Sequence, residues 1–380
     1  MKDIAKQSPY FFSASTNPTK VALRLIILSL ISTAIMACAD RSVLISDCNA
    51  VGDKQALCGW QSPEDMELLP DGKTLLVSEM AKGHGRIAGH LSVLDTETDM
   101  RKLLTILPAN DQSLWGQAQC VSPVYDELGP HGIHLSQRAD GMTQLLVVNH
   151  GSRESVEYYQ VLNAEDGYQL QWRGCAIPPE GSFLNDVVAL PTGGFIATHM
   201  YSKTDAPVGS LNFNEIKALL GFSPGYLLHF DGQGFSRLGN YEGNYPNGIQ
   251  ISADGRQLYV NLWAESKIQK LDSRTGEVLA EAEVTHPDNV QWDTQGNLLV
   301  TGHDFTINDL RICLNLESGA CPGSFEVIQI EPETMATKKL LRHRGPPMGA
   351  ATVTQQVGNN WYLGSFVGDR LLKMPAPSQP

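Results

Sequence analysis

The sequence carries little positive charge. Its 380 residues include 28 Lys and Arg against 41 Asp and Glu, for a formal net charge of −13, and no basic run follows the N-terminal segment. Proteins that bind nucleic acids present clustered basic side chains that neutralise phosphates. The composition therefore argues against a nucleic-acid partner, and a small ligand or a cation suits it better.

Several common enzyme motifs are also missing. The chain has no P-loop, no Rossmann fingerprint, no H-E-x-x-H, no C-x-x-C and no Cys/His cluster with zinc spacing. A G-x-S-x-G motif does occur at 221–225, but a nucleophile elbow needs a backbone N–H after the serine, and Pro224 has none. Nucleotide-dependent, thiolate-zinc and serine-hydrolase chemistry are accordingly disfavoured.

The apolar run at 25–37 is short for a bilayer span and follows several basic residues, as in a signal peptide. It ends in Ile35-Met36-Ala37-Cys38, which resembles a bacterial lipobox. We expect residues 1–37 to be removed as a lipoprotein-type signal peptide and Cys38 to be acylated. The protein would then be exported and anchored in the cell envelope (periplasm) by that lipid alone. An uncleaved anchor and plain secretion are the alternatives.

Cysteine usage agrees with export. Six cysteines remain after Cys38, an even number that an oxidising compartment can pair, although six cysteines allow 15 connectivities. Local spacing favours Cys313 with Cys321 and Cys48 with Cys58. That assignment leaves Cys120 for Cys175.

Internal repetition is the strongest organisational signal. Six segments each contain an apolar stretch, a polar turn with glycine and a second apolar stretch, which is the pattern of a β-hairpin. Their turn glycines are Gly72, Gly141, Gly194, Gly255, Gly296 and Gly358. The spacing is too irregular for a tight solenoid but suits four-stranded blades with variable loops. We predict an all-β fold, a six-bladed β-propeller over residues 61–375, with 38–60 as an N-terminal linker or closure segment.

Polar residues precede five of the hairpins at a similar distance. They are Glu64-Asp65, His131-Gly132, Asn185-Asp186, Asn247-Gly248 and Asp288-Asn289. The first strand of each propeller blade lines the central channel, so these positions should converge at one mouth. Oxygen ligands with few carboxylates fit a hard cation, above all Ca²⁺. The alternative is a chance match of turn-favouring Asn and Asp, but the same register recurs five times.

Two histidines flank the second hairpin. Antiparallel pairing about Asp140 and Gly141 predicts that His131 lies opposite His150 on one side of the sheet. Beside a metal, one imidazole can polarise a water while the other adjusts its basicity. This favours a functional pair over two structural histidines.

These residues carry a family resemblance. The segments SPEDMELLPDG, HGIHLSQRADGMTQLLVVNH, LNDVVALP, YPNGIQISADGRQLYV, HPDNVQWD and YLGSFVGDRLLKM are similar, in order and spacing, to the calcium-dependent paraoxonases and arylesterases, and more distantly to the gluconolactonases. The resemblance runs from about residue 61 to residue 374. It implies a propeller hydrolase that opens lactones or aryl esters and uses two calcium ions.

The resemblance also implies roles for single residues. The catalytic calcium ion would be bound by Glu64, Asn185, Asn247, Asp288 and Asn289. A second, structural ion would be held by Asp65, Asp186 and the backbone carbonyl of Ile133. His131 and His150 match the family's proposed catalytic dyad, in which His131 would deprotonate the attacking water.

Two stretches, 82–90 and 199–225, depart from the family pattern around the substrate pocket, so the substrate stays open. One alternative function is a calcium-stabilised propeller that binds a ligand or an envelope partner without turnover. Another is a sugar-lactone hydrolase that uses a different divalent ion. The two histidines beside a full ligand set favour the calcium-dependent enzyme, because binding alone needs no dyad.

Overall fold

The regular structure consists mainly of short β-strands. The described residues are 43–82, 87–109, 114–165, 167–203 and 213–377 of a computed structural model. Strands β1 to β13 are Gln55–Cys58, Pro63–Leu68, Thr74–Glu79, His90–Asp95, Met100–Leu103, Thr105–Leu107, Trp115–Gly116, Pro130–Gln137, Thr143–Asn149, Ser155–Ala164, Gly167–Ala176, Leu184–Ala189 and Phe195–His199. Strands β14 to β26 are Tyr226–Phe230, Phe235–Arg237, Pro246–Ile251, Gln257–Leu262, Lys267–Asp272, Val278–Glu283, Pro287–Trp292, Leu298–Asp304, Ser324–Ile330, Thr337–His343, Ala351–Val357, Asn360–Ser365 and Arg370–Pro375. Helices α1 and α2 are Phe213–Leu219 and Ile307–Leu314.

The strands form six sheets arranged in a ring. The innermost strands of blades one to six are β2, β8, β12, β16, β20 and β24, and they contact one another in cyclic order. Each predicted hairpin supplies the two inner strands of a blade, and all six turn glycines have the positive φ that these turns require. The prediction of a six-bladed β-propeller is confirmed.

The sixth blade closes the ring with both ends of the described chain. Its sheet order is β1-β26-β25-β24, so a strand from the segment before the first blade pairs with the last strand. The pairing is antiparallel, with Gln55 opposite Lys373 and Cys58 opposite Arg370. Ring closure therefore uses residues on the N-terminal side of Gln61.

Hydrophobic cores lie between neighbouring blades. Val188 and Ile196 of the third blade, for example, pack with Ile249, Leu258 and Leu271 of the fourth, and all are buried. The strands facing these interfaces are apolar on both sides, which explains why their sequences read as nearly continuous hydrophobic runs. Burial between blades fixes each inner strand, and hence the side chains that enter the channel.

All three predicted disulfides are present. They join Cys48 to Cys58, Cys120 to Cys175 and Cys313 to Cys321. Three disulfides indicate an exported protein, because disulfides persist in oxidising compartments. No helix within the described ranges is long and apolar enough to cross a membrane. The predicted signal peptide (1–37) and Cys38 lie outside the described residues.

Candidate active site

Each innermost strand changes register with its neighbour at the same level of the channel. The irregularities fall between Pro63 and Asp65, Pro130 and Ile133, Leu184 and Val187, Pro246 and Ile249, Pro287 and Val290, and Ala351 and Val353. Such bulges interrupt the strict alternation of side chains and re-aim them. The polar positions singled out in the sequence lie at five of these six bulges, which is how consecutive residues such as Asp288 and Asn289 are both buried in the channel.

The structure brings the five predicted ligands of the catalytic ion together. Glu64, Asn185, Asn247, Asp288 and Asn289 are each at most 6% exposed. The Asn289 amide donates to Glu64 Oε1 at 2.6 Å, joining the fifth blade to the first. The Thr352 hydroxyl donates to the Glu64 backbone carbonyl at 2.7 Å from the sixth blade. We call this group of five side chains the mouth cluster.

Four oxygens of the mouth cluster are buried without a hydrogen-bond partner among the described residues. They are Glu64 Oε2, Asn185 Oδ1, Asn247 Oδ1 and Asn289 Oδ1. A buried acceptor left unpaired costs about 1–3 kcal/mol, so four at one level are not a random defect. All four atoms are hydrogen-bond acceptors. A cation that binds oxygen would satisfy all of them at once.

Electrostatics point the same way. Burial, reinforced by Asp65 and Asp288, raises the pKa of Glu64 well above its usual value. Burial also raises the pKa of Asp288 to about 8, against a lowering hydrogen bond from Asn247. No Lys or Arg in the described chain forms an ion pair with these carboxylates, and burial lowers the pKa of the adjacent His303 to about 3. Among the described residues, no positive side chain therefore compensates these carboxylates.

The predicted site of the second, structural ion is built differently. Asp65 accepts the backbone N–H of Met66 and that of Ile133 in the next blade, both at 2.8 Å. Asp186 likewise accepts from Val187 at 2.7 Å and from Ile249 at 2.8 Å. Each carboxylate thus ties its own blade to the following one. Burial raises the pKa of Asp65 to about 7. The hydrogen bonds therefore do not fully offset the cost of burying its negative charge.

The two histidines of the second hairpin are in direct contact. His131 Nδ1 lies 2.8 Å from His150 Nε2, and His131 Nε2 lies 3.9 Å from Glu64 Oε1. The predicted register was wrong by a small shift, since Pro130 pairs with Asn149 and Ile133 with Val147. The bulge between those pairs absorbs the difference and still brings the rings together. Burial, with a smaller effect of His150, lowers the pKa of His131 well below its usual value, so this imidazole is neutral.

A residue that sequence reasoning missed extends this pair. Glu154 Oε2 lies 3.0 Å from His150 Nδ1, and its Oε1 accepts the Leu184 backbone N–H at 2.8 Å. Lys203 Nζ lies 3.3 Å from Glu154 Oε2. The only sequence signal was the spacing of four residues after His150, which carries no meaning outside a helix.

Aromatic side chains form an arc along one side of the mouth cluster. His150 packs against Phe183, with ring centroids 4.6 Å apart, and Phe183 continues to Tyr201 at 5.1 Å. The arc continues through Tyr245, Trp263 and His286, and a second group comprises His303, Phe305 and Phe366. Most of these rings lie outside the strands, in segments whose sequences show no periodic pattern, so their convergence was not predicted. They make the wall beside the dyad largely apolar.

A cavity of 1430 Å³ opens at the other end of the inner strands. Its lining includes Glu67, His134, Gln250, Gln291 and Gln355, which follow the site residues along their strands. No member of the mouth cluster or of the dyad lines it. The mouth cluster and the dyad therefore do not face this cavity.

The mouth cluster is amide-rich. It combines two carboxylates with three amides, and no group of three or more His, Cys, Asp or Glu in the described part of the chain is arranged to hold a metal ion. Neutral and charged oxygen donors in this proportion suit Ca²⁺ rather than a transition metal. The residues present fit the ion that the family resemblance implies.

The buried polar mouth and the histidine pair of this six-bladed propeller lie within the part of the chain that matches a known family. Residues 62–369 match the arylesterase family, and the chain belongs to that family. Family membership supports a hydrolase of esters or lactones. No curated protein sequence matches the chain.

Some solved structures are similar to the chain at low sequence identity. The chain is similar to a luciferin-regenerating enzyme, with 13% identity over 84% of this chain and 92% of that one and a TM-score of 0.50. It is also similar to a gluconolactonase from Xanthomonas campestris, with 16% identity, coverage of 89% and 99%, and a TM-score of 0.49. A periplasmic gluconolactonase from Pseudomonas aeruginosa is 14% identical, with coverage of 83% and 87% and a TM-score of 0.44. At 13% identity and a TM-score of 0.50, the likeness to the first of these structures bears on the fold alone.

Proposed function

We propose that the protein is a calcium-dependent hydrolase that opens lactones, aryl esters or both. The single observation that carries the proposal is the set of four unpaired, buried acceptor oxygens in the mouth cluster, beside two histidines in contact. Acceptors alone call for a cation, and a neutral imidazole next to them is placed to take a proton from water. An ester or lactone carbonyl is the substrate that needs both.

Glu64, Asn185, Asn247, Asp288 and Asn289 would hold the catalytic calcium ion. When bound, this ion supplies Lewis-acid stabilisation of negative charge on a carbonyl oxygen. Asp65 and Asp186, with the Ile133 carbonyl, would hold the structural ion. The hydrogen bonds of Asp65 and Asp186 to the next blade support separate catalytic and structural sites, because they make these two carboxylates part of the scaffold.

His131 acts as the general base in this proposal. Its Nε2 is on the Glu64 side of the ring, while its Nδ1 contacts His150. Burial keeps His131 neutral, which is the form that can accept a proton. Positioned general bases typically contribute 10²- to 10⁴-fold to the rate.

The aromatic wall suits the apolar part of a substrate. Phe183, which is partly exposed and packs against His150, can contact an acyl chain or a phenyl group, and Tyr201 packs behind it. The expected substrates are therefore lactones with an apolar tail and aryl esters rather than free sugars. A lipid on Cys38, after removal of residues 1–37, would keep this activity in the cell envelope.

A substrate panel tests the proposal. Purified protein is assayed on phenyl acetate and on lactones of different ring size and tail length, first with calcium, then with excess EGTA, then with calcium restored. We expect hydrolysis that EGTA abolishes and calcium restores. If the calcium-loaded protein hydrolyses none of them, the binding module without turnover takes the place of the enzyme. Recovery with another divalent ion but not with calcium would make the metal assignment wrong.

A further inference from the structure

We propose that Glu154 is the third member of the histidine relay and that it decides which ring nitrogen of His131 is free to accept a proton. The kinetic part of this inference rests on the proposed hydrolase function. The structural part, the assignment of protons to the two rings, does not depend on that function.

Glu154 is held in place from several directions. Its side chain is 13% exposed, Oε1 accepts the Leu184 N–H, and Oε2 faces both His150 Nδ1 and the Lys203 ammonium group. Burial opposes ionisation of this carboxyl group, but His150, the Leu184 N–H and Lys203 together lower its pKa. Glu154 is therefore a carboxylate, which can only accept hydrogen bonds.

Because Glu154 can only accept, it fixes the direction of both hydrogen bonds in the relay from Glu154 through His150 to His131. His150 Nδ1 must carry a proton to donate to Glu154, so Nε2 of a neutral His150 carries only a lone pair. That lone pair lies 2.8 Å from His131 Nδ1, which must then be the donor. The one remaining lone pair of the relay is on His131 Nε2, towards Glu64 and the mouth cluster.

Without the carboxylate this direction is not fixed. In a pair of neutral imidazoles either ring can donate to the other, and the opposite tautomers would place the His131 lone pair against His150. His131 Nε2 would then carry a proton and could not act as a base. Glu154 thus acts as a positioning residue, as the buried aspartate does in serine-protease triads.

The proton transfers balance with this assignment. As the water oxygen bonds to the substrate carbonyl carbon, its proton passes to His131 Nε2 and the C=O π electrons move onto the carbonyl oxygen. The Nδ1 proton of His131 passes to His150 Nε2, so the positive charge rests on the ring next to Glu154. When the C–O bond to the leaving group breaks, both transfers reverse and the leaving oxygen takes the proton. One water is consumed for each ester or lactone bond.

Glu154→Gln tests the inference, because glutamine keeps the shape but can donate as well as accept. The readout is the ¹⁵N chemical shift of the histidine ring nitrogens in the full-length protein, which separates protonated from unprotonated nitrogen. We expect the wild-type protein to have protons on Nδ1 of both His131 and His150. The variant should show a mixture of tautomers in both rings. Its kcat should fall by about 10- to 10³-fold with KM within about threefold, as for a group that acts on proton transfer only.

Glu157→Gln is the matched control. Glu157 is also buried and follows Glu154 closely, but it bonds to Ser155, Trp172 and Arg153 and not to the dyad. This control should lose stability while the histidine shifts stay as in the wild type. Unchanged tautomers in Glu154→Gln would overturn the inference, and so would a loss of kcat that merely follows the folded fraction as in Glu157→Gln. A wild-type protein inactive on every substrate would instead remove the proposed function and leave the tautomer measurement to decide this inference.

Discussion

Gly132 and Asp186 lie so close together that no side chain fits between them. A Cβ atom on Gly132 would be 2.4 Å from Asp186 Oδ1 and 2.5 Å from Asp186 Cα. Gly132 is at the bulge of β8, directly after His131, whereas Asp186 is at the bulge of β12 in the next blade. The contact sets the distance between two innermost strands at the level of the site.

Gly132→Ala should therefore damage both folding and activity. The atoms it would meet include backbone atoms of Asp186 and Asn185, which cannot rotate away. Overpacking of this kind typically costs about 1–3 kcal/mol. Thermal unfolding should occur at a lower temperature, and kcat should fall because His131 moves with its neighbour. Gly234→Ala is the control, since its Cβ would meet nothing within 4 Å. Equal unfolding temperatures for the two variants would contradict this account of the blade contact.

Asp65→Ala and Asn247→Ala should separate stability from chemistry. Asp65 ties β2 to β8 through the Ile133 N–H, so its loss leaves two backbone donors unpaired and should mainly lower the free energy of unfolding. Asn247 contributes an unpaired acceptor at the mouth, so its loss should mainly lower turnover. Unfolding and kcat are measured on both variants. Similar unfolding losses, with activity following the folded fraction alone, would argue against two separate ion sites.

Removal of metal should destabilise the protein. A ligand that binds only the native state stabilises it, by about 2.7 kcal/mol at 100 times its dissociation constant. Calorimetry in excess EGTA should show unfolding several degrees below that of the calcium-loaded protein, and elemental analysis of the untreated protein should find calcium. An unchanged transition together with no calcium would reject both proposed ions.

The pH dependence of the metal-free protein should have an unusual sign. The pKa values of Asp65 and Asp288 are raised to about 7 and about 8 in the folded state. The folded state therefore holds protons that the unfolded chain releases from about pH 4 upward, so stability falls as pH rises towards 8, by up to about 1.4 kcal/mol per pH unit for each such proton. We expect the unfolding temperature in EGTA to drop between pH 5 and pH 8. Added calcium should largely remove that drop, and a flat profile in EGTA would contradict the raised pKa values.

His131→Gln should reduce turnover by about 10²- to 10⁴-fold if this residue is the general base. Calcium affinity and unfolding temperature should change little, because the imidazole is not among the proposed ligands. His150→Gln should have a smaller effect, since it acts through its neighbour. Aryl esters should suffer less than lactones, because an activated phenol leaves without much help. Full activity of His131→Gln on all substrates would remove the dyad from the mechanism.

The fold was accessible from the sequence because hairpins are local. An apolar stretch, a glycine turn and a second apolar stretch identify two adjacent strands, and the six hairpins give six blades. The outermost strands were harder to predict from hydrophobic patterns, because strands such as β5 and β19 are short and largely exposed. The two disulfides of short span followed from spacing, and the third followed by elimination.

The candidate site was only partly accessible. Residues of the mouth cluster recur at one place in four of the six blades, so repetition reveals them. Glu154 and Phe183 occur once each in loops and have no such repeat. The register of His131 and His150 was missed because a bulge leaves no mark in a hydrophobic pattern when its residues are polar. Glu154 contacts His150 because the loop between β9 and β10 folds back on itself, and no sequence pattern indicates that contact.

The pairing of β1 with β26 has a consequence for how the protein can be shortened. A chain that began at Gln61 would keep all inner strands but would leave the backbone N–H and C=O groups along one side of β26 open to solvent. An open, regular strand of this kind invites a foreign strand to add to it, which is a route to aggregation. The segment 48–58 thus covers the sheet edge, and the Cys48–Cys58 disulfide closes this segment into one loop. A shortened protein that remains soluble should therefore start before Cys48.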